Sequence, residues 1–250
     1  DRGTASTFLA HVRLRLRTSK EARLAPTDRY RSPSDLPQQI PVFPLRGVIL
    51  LPRAVLPLSI YEPRYLKMLE DILSGDRILG IVQPDRSEGE EESPPGKAVS
   101  LRPVGCAGRL TAFQELDDDR VLVTVTGVAR FDLTKEVPTS KPYRLFQVSY
   151  DAFSHDFEVG AGEELVDRSN LLRVLRSYLE AHKLKADWRA ILSAPSEYLV
   201  NSLSVVCPYG AEEKQALLEA KDLKTRAEVL MALAEMELAS SESGSGGAVN

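Results

Sequence analysis

The sequence predicts an α+β protein, in which a β-rich part comes first and a small helical part follows. Up to about residue 153 the apolar residues alternate or form short dense runs, whereas after Gly160 they recur with a helical period. Of the 250 residues, 43% are hydrophobic and 27% are charged, which is close to the average of globular proteins. We therefore divide the chain into a flexible extension (1–35), a β-rich subdomain (36–158), a helical subdomain (159–239) and a flexible tail (240–250).

The first 35 residues are rich in arginine and poor in acidic residues. Organellar targeting peptides have a similar composition. No apolar period runs through the segment, however, so we interpret it as a flexible extension.

Prolines interrupt the apolar run that follows, at positions 41, 44, 52 and 57. Because proline cannot donate to a neighbouring strand, it is confined to edge strands, bulges and corners. The run therefore predicts two short strands between residues 36 and 60. A helix is predicted next, since Pro63 suits a first helical turn and Gly75 a helix end. The apolar face of that helix comprises Leu66, Leu69, Ile72 and Leu73.

The segment from Arg77 to Gln83 is apolar enough for a buried strand, and the glutamate-rich run from Pro84 to Lys97 predicts a loop. Two longer strands, 104–113 and 120–133, are predicted to form a hairpin around Asp117, Asp118 and Asp119. Its second strand shows the alternation typical of a pleated ribbon. A last strand, 144–153, completes the β-rich half.

Four helical regions follow. The first has an apolar stripe formed by Leu171, Leu172, Leu175, Tyr178 and Leu179. The others span 187–192, 196–206 and 211–238, and the last of these is predicted to break near Asp222, where Thr225 and Glu228 have the spacing of a capping box.

The motifs of common enzyme classes are missing from these residues. The single Gly-Lys pair, Gly96-Lys97, lacks the first glycine and the hydroxyl residue of a P-loop. No serine lies in a Gly-x-Ser-x-Gly elbow, and the three histidines (His11, His155 and His182) share no motif, so we expect them to be exposed. The sequence therefore predicts no catalytic residue, no cofactor and no metal.

Two further features could carry chemistry. Cys106, flanked by Gly105 and Gly108, could serve as a nucleophile if a cation or histidine lay near it. A small buried thiol in a strand explains the same pattern with fewer assumptions. Consecutive aspartates at 117–119 would point to alternate faces of a strand, so a solvated turn is favoured over a metal site.

Charge and cysteine usage limit the partners and the location. A net charge of −4 and a pI of about 5.6 disfavour nucleic-acid binding. The apolar run from Val48 to Ile60 is too short and too interrupted to cross a membrane. Cys106 and Cys207 form no CxxC motif, so a reducing compartment, the cytoplasm, is predicted.

The run from Pro41 to Tyr65 resembles the opening of the amino-terminal domain of the Lon protease. It contains Pro41-Val42-Phe43-Pro44-Leu45, an apolar run to Pro52, and an apolar strand that leads into Glu62-Pro63-Arg64-Tyr65. The likeness continues through 104–110, 125–131 and 214–219, with Arg226 and Glu237, and so spans nearly all of 36–238.

The resemblance implies a PUA-like β pseudo-barrel joined to a helical bundle, as in the free-standing Lon-domain proteins of bacteria. It implies a non-catalytic module that recognises unfolded or client polypeptides, with a separate protease or chaperone as a further partner. Glu62 and Arg64 would anchor the corner between strand and helix. RNA binding by a PUA-like fold and a Cys106-dependent hydrolase remain alternatives. No contact residue is assigned, because exposed and core positions look alike in dense apolar runs.

Overall fold

The computed structural model describes residues 27–85, 99–116 and 120–245, with side chains up to residue 240. These residues form two compact units, one of 27–159 with 209–219, and one of 160–208 with 220–245. The first unit contains all described strands and the second is helical, so the predicted α+β class is confirmed.

The first unit is built on six strands in one sheet. They are β1 (Gln39–Pro44), β2 (Val55–Ile60), β3 (Ile78–Pro84), β4 (Leu101–Glu115), β5 (Val121–Val137) and β6 (Leu145–Ser149). The order is β2-β5-β4-β3-β1-β6, and β5 also pairs with β6. Strands β5, β4, β3, β1 and β6 therefore close into a ring, and β2 is attached as an edge strand to the first half of β5.

Phe131 fills the interior of this ring and is fully buried. Two glycines on neighbouring strands make room for its ring. A Cβ atom at Gly80 would lie 2.8 Å from Phe131 Cζ, and one at Gly105 would lie 2.6 Å from it. Tyr30 also belongs to this core and is 6% exposed, so residues 27–35, which the sequence placed in the extension, contribute to the packing.

Two helices belong to the same unit, α1 (Pro63–Leu73) and α5 (Ala211–Glu219). The predicted range of α1 is confirmed, but its buried face is rotated towards Tyr65 and Met68. The ring of Tyr65 lies 4.2 Å from that of Phe43 on β1, which explains why Tyr65 rather than Leu66 points inward. Helix α5 is fixed by Gln83, whose Nε2 donates to Ala211 O (2.9 Å) and to Gln215 Oε1 (3.0 Å).

The second unit consists of α2 (Arg168–Ala181), α3 (Trp188–Ser193), α4 (Ser196–Val206) and α6 (Leu223–Ser245). Asp167 and Asp187 cap α2 and α3, since their carboxylates accept from the backbone N–H groups of Asn170 and Ala190. The predicted break near Asp222 is confirmed, because α5 ends at Glu219 and α6 begins at Leu223. Among the described helices, none combines the length and the apolarity needed to cross a membrane.

Candidate functional site

Strands β2, β5 and β4 carry apolar side chains on their outward face. On β2, Pro57 lies opposite Thr124 of β5, and Ser59 lies opposite Leu122 of β5. Thr124 in turn lies opposite Ala112 of β4. Directly opposed residues share a face, and side chains alternate along each strand. We call the resulting surface the β2–β5–β4 face and define it by Val55, Pro57, Tyr61, Ala112 and Leu122.

The large apolar side chains of this face are exposed to solvent. Tyr61, which directly follows β2, is 65% exposed, Leu122 is 42% exposed and Val55 is 40% exposed. On the other face of β2 and β5, Leu56, Val123 and Val125 point into the core and are buried, although Phe113 on β4, which pairs with Val123, is 52% exposed. Apolar side chains that cluster on a solvent-facing sheet mark a site of interaction more often than isolated ones do.

The outer edge of β2 is poorly suited to accept a further strand. Pro57 has no N–H, and the carbonyl of its partner Thr124 accepts from Thr111 Oγ1 on β4 (3.1 Å). Pro57 and Thr124 thus form a pair without mutual hydrogen bonds, and the proline nitrogen faces the open edge. A strand added there would lose a donor in the middle of the ladder. Contact through side chains of the face is therefore favoured over strand addition.

Glu62 and Arg64 follow Tyr61 and pair with each other. Their Oε2 and Nη2 atoms lie 2.7 Å apart, and both side chains are about half exposed. The Arg64 guanidinium also lies 4.6 Å from the centre of the Tyr65 ring. The opposite charges of the pair offset each other, and the backbone carbonyl of Glu62 accepts from the N–H groups of Tyr65 and Leu66 in α1.

The most strongly shifted acid of this unit lies on α1. Lys141 Nζ (2.7 Å) and Tyr143 Oη (2.6 Å) donate to Asp71 Oδ2, and these bonds hold the pKa of Asp71 well below its usual range. Because the carboxylate is committed to these partners, it fixes α1 to the segment before β6 and is not poised for proton transfer.

Cys106 is fully buried on β4, and its Sγ donates to Ala107 O (3.5 Å). Its cross-strand neighbour is Arg130, so a cation does lie beside it. That guanidinium, however, is bound by Asp156, and a substrate has no access to the thiol. Cys207, at the end of α4, is likewise buried.

The histidines do not assemble a site. His155 has a side chain that is 84% exposed, as expected. The ring of His182 stacks on Tyr178, and its Nε2 lies 3.1 Å from Glu237 Oε1. His11, Gly96-Lys97, the glutamates of the 84–97 loop and the aspartates at 117–119 lie outside the described residues. Within the described residues, no three acidic, histidine or cysteine side chains are grouped to hold a metal ion.

A family model for the substrate-binding domain of the ATP-dependent protease La (LON) matches residues 39–235. The chain belongs to this family. Lon protease 2 of Myxococcus xanthus is 29% identical over 205 residues, which are 80% of this chain and 24% of that protein. The Lon protease of Anaeromyxobacter dehalogenans is 28% identical over 205 residues, or 80% of this chain and 23% of that one.

Solved structures show the same fold. A Lon N-terminal domain protein from Xanthomonas campestris superposes with a TM-score of 0.53 at 20% identity, covering 78% of this chain and 97% of that chain. The N-terminal domain of the Mycobacterium avium complex Lon protease gives 0.52 at 15% identity, covering 79% and 98%. The chain thus spans about a quarter of the length of its curated Lon relatives and nearly all of these isolated domains. The matched region is the substrate-binding domain of the family, and this membership supports a substrate-recognition role.

The sequence did not identify the residues of the β2–β5–β4 face. Apolar residues occupy both alternate rows of β2, so periodicity could not separate Val55 from Leu56. On β5 the alternation separates Leu122 from Val123, but Leu122 is itself apolar and was therefore not recognised as exposed. The only signal was Pro57, which indicated an edge strand and hence a strand with one open side.

Proposed function

We propose that the chain is a non-catalytic module that binds unfolded or client polypeptides on the β2–β5–β4 face. The observation that supports the proposal is the solvent exposure of Val55 and Leu122 on one face of the sheet and of Tyr61 directly after β2. Membership in the family of the Lon substrate-binding domain supports a polypeptide as the ligand.

The chemistry of this face suits an extended, partly apolar chain. Tyr61 offers a large contact area and a hydroxyl at low conformational cost, which is typical of residues that dominate binding energy. Val55, Leu122 and Ala112 provide flat apolar contacts, and Thr124 and Ser59 provide hydroxyl groups between them. Because unfolded chains expose apolar side chains and unpaired backbone groups together, they match such a mixed surface.

The proposal is tested by the binding of a permanently unfolded protein, such as casein, measured by fluorescence anisotropy against a folded control protein. We expect measurable affinity for casein and none for the folded control protein. The double variant Tyr61→Ser/Leu122→Thr should weaken binding about tenfold or more, since each anchor of this kind contributes roughly 1–2 kcal/mol. Both residues are exposed, so the variant should keep its melting temperature within a few degrees.

Leu192→Ala provides the matched control, because Leu192 is 58% exposed but lies on α3 of the helical unit. Its affinity should equal that of the unchanged protein. Absence of casein binding would contradict the proposed function. Loss of binding in the Leu192 variant, with none in the double variant, would contradict the proposed surface.

A further inference from the structure

Arg109 lies at the inner end of the β2–β5–β4 face. On β4 it is directly opposite Thr126 of β5, which in turn is opposite Val55 of β2. Directly opposed residues share a face of the sheet, so the Arg109 side chain projects from the same side as that of Val55. Two residues earlier on β4, the same side of the sheet belongs to the interior of the ring, where Ala107 is inaccessible to solvent. Arg109 therefore marks the border between the buried interior and the exposed face.

The surface between Val55 and Arg109 is partly exposed. Thr126, which separates them, is half-buried, and its Oγ1 lies 3.1 Å from Thr111 Oγ1. Neighbouring strands are about 4.8 Å apart, so the backbones at Val55 and Arg109 are separated by about 10 Å. An extended chain spans that distance with about three residues. A polypeptide whose apolar side chain contacts Val55 thus reaches Arg109 with a residue about three positions away.

Neutral acceptors hold one side of the Arg109 guanidinium. Its Nη1 donates to Tyr30 Oη (2.9 Å) and to the backbone carbonyl of Asp76 (3.2 Å). Tyr30 is buried in the core of the ring, so its hydroxyl holds Nη1 in place. The two contacts orient the guanidinium, but neither acceptor carries a charge.

The other side of the guanidinium, formed by Nε and Nη2, has no acceptor among the described residues. Both atoms are accessible to solvent, since neither is a buried nitrogen without a partner. In arginine these two nitrogens form a planar fork that matches the two oxygens of a carboxylate. The exposed side chain of Asp76 forms no ion pair with Arg109, although its backbone carbonyl binds Nη1. Within the described part of the chain, the fork is thus available to a carboxylate from another molecule.

Support of Tyr30 alone does not account for this geometry. That support requires only one donor, which Nη1 provides. A charged fork at the border of an apolar surface also disfavours purely apolar ligands, because it loses hydration when such a ligand covers it. Arg109 is therefore suited to select among the polypeptides that contact the face.

We propose that Arg109 binds an acidic side chain of the polypeptide on the β2–β5–β4 face through Nε and Nη2. It selects unfolded segments in which an aspartate or glutamate lies about three positions from an apolar residue. The proposal rests on the proposed function, because it names the class of polypeptide that the same face accepts. Tyr30 acts as a positioning residue, since it holds Nη1 and does not touch the ligand.

The test compares two short labelled peptides by fluorescence anisotropy. Both contain alternating leucines, end in a carboxyamide, and differ only in a glutamate or a glutamine about three positions beyond the last leucine. With the full chain, we expect the glutamate peptide to bind about tenfold tighter, as is typical of a charge-assisted hydrogen-bonded pair. A glutamine peptide with a free terminal carboxylate should bind no tighter than its carboxyamide form. If it matches the glutamate peptide instead, the fork binds chain ends and the proposal is overturned.

Arg109→Gln is the decisive variant, because it removes the charged fork and keeps a donor for Tyr30. It should bind both peptides equally, with the affinity that the unchanged protein has for the glutamine peptide. Arg109→Lys keeps the charge without the fork, so its preference for glutamate should be detectable but smaller than that of the unchanged protein. Tyr30→Phe should also reduce the preference, because the guanidinium loses one of its two supports. An undiminished preference in either Arg109 variant would overturn the proposal.

Arg46→Gln is the matched control for net charge, because Arg46 is exposed in the same unit and lies outside β2, β4 and β5. It should keep the full preference for glutamate. A role of Arg109 that is limited to the support of Tyr30 predicts a lower melting temperature for Arg109→Gln with an unchanged preference, and that result would contradict the proposal.

The failures of the two proposals are distinguishable. If casein binds while the unchanged protein binds both peptides equally or neither of them, selection by Arg109 is overturned and the proposed function stands. If neither casein nor either peptide binds, both proposals are overturned.

Discussion

Removal of the Asp156 carboxylate should destabilise the sheet unit strongly. The carboxylate accepts three hydrogen bonds from Arg130: from its backbone N (2.9 Å), Nε (2.9 Å) and Nη2 (2.8 Å). Arg130 and Asp156 have side chains that are only 4% and 8% exposed. Arg130 Nη1 also donates to Leu218 O (3.1 Å), so the pair joins β5, the 3-10 helix Asp151–Phe157 and helix α5.

Asp156→Ala leaves a buried guanidinium without its counter-charge, which costs about 3–5 kcal/mol. For a protein of this size, that corresponds to a fall in melting temperature of roughly 6–20 °C. Urea unfolding followed by circular dichroism measures the change in the free energy of unfolding. The double variant Arg130→Met/Asp156→Leu should recover much of the loss, because it removes both charges together.

The matched control is Glu62→Ala, which removes the acid of the exposed pair with Arg64 and should cost less than about 1 kcal/mol. If Asp156→Ala lowers the free energy of unfolding by no more than Glu62→Ala does, the buried pair does not hold these elements together.

Three further outcomes follow from the structure. Gly127→Ala should destabilise the protein by several kcal/mol in urea unfolding, because the added Cβ atom would lie 1.9 Å from Leu51 O, and a change below about 0.5 kcal/mol would contradict this close approach. Burial and a nearby negative charge raise the pKa of Asp132, so its ionisation opposes folding as the pH rises through its titration range. Asp132→Asn should therefore raise the melting temperature at neutral pH, and the gain should vanish in acid; a gain that is independent of pH would refute this. A disulfide reagent that reacts with free thiols should modify Cys106 and Cys207 only after denaturation. Rapid modification of the native protein would contradict their burial.

Much of the fold could be predicted from local patterns. Proline at the first turn and glycine beyond the end gave the bounds of α1. The break between α5 and α6 was placed correctly near Asp222, but the cap is Asp222 itself, whose Oδ1 accepts from Thr225 N (2.7 Å), and the predicted capping residue Thr225 lies within α6. The proline pattern indicated an edge strand, which β2 is. These features depend on residues close together in the chain, so a single sequence contains them.

The closure of the sheet could not be predicted from residues alone. Strand β5 has 17 residues and pairs with β2 in its first half and with β6 in its second half, a division that depends on distant partners. The rotation of the buried face of α1 towards Tyr65 likewise depends on Phe43, twenty-two positions earlier. Tyr30 was assigned to the extension because the composition around it is polar.

At the candidate site, too, local features could be predicted and features that depend on tertiary packing could not. Cys106 was correctly interpreted as a small buried thiol, since flanking glycines and a strand pattern are local signals. The exposure of Tyr61 and Leu122 depends on which face of the sheet is covered, and that is decided by packing. The left-handed backbone conformation of Arg53, whose φ is 64°, could not be foreseen either. Its N–H donates to the carbonyl of Gly127, which is far away in the chain.

Chemical-shift mapping of the protein with saturating unfolded casein shows which surface binds an unfolded chain. We expect the backbone amide shifts to concentrate at residues 55–61, 112–114 and 122–126, which contain the β2–β5–β4 face. Shifts that are confined to helices α2, α3 and α4, or no shifts at saturating casein, would contradict this expectation.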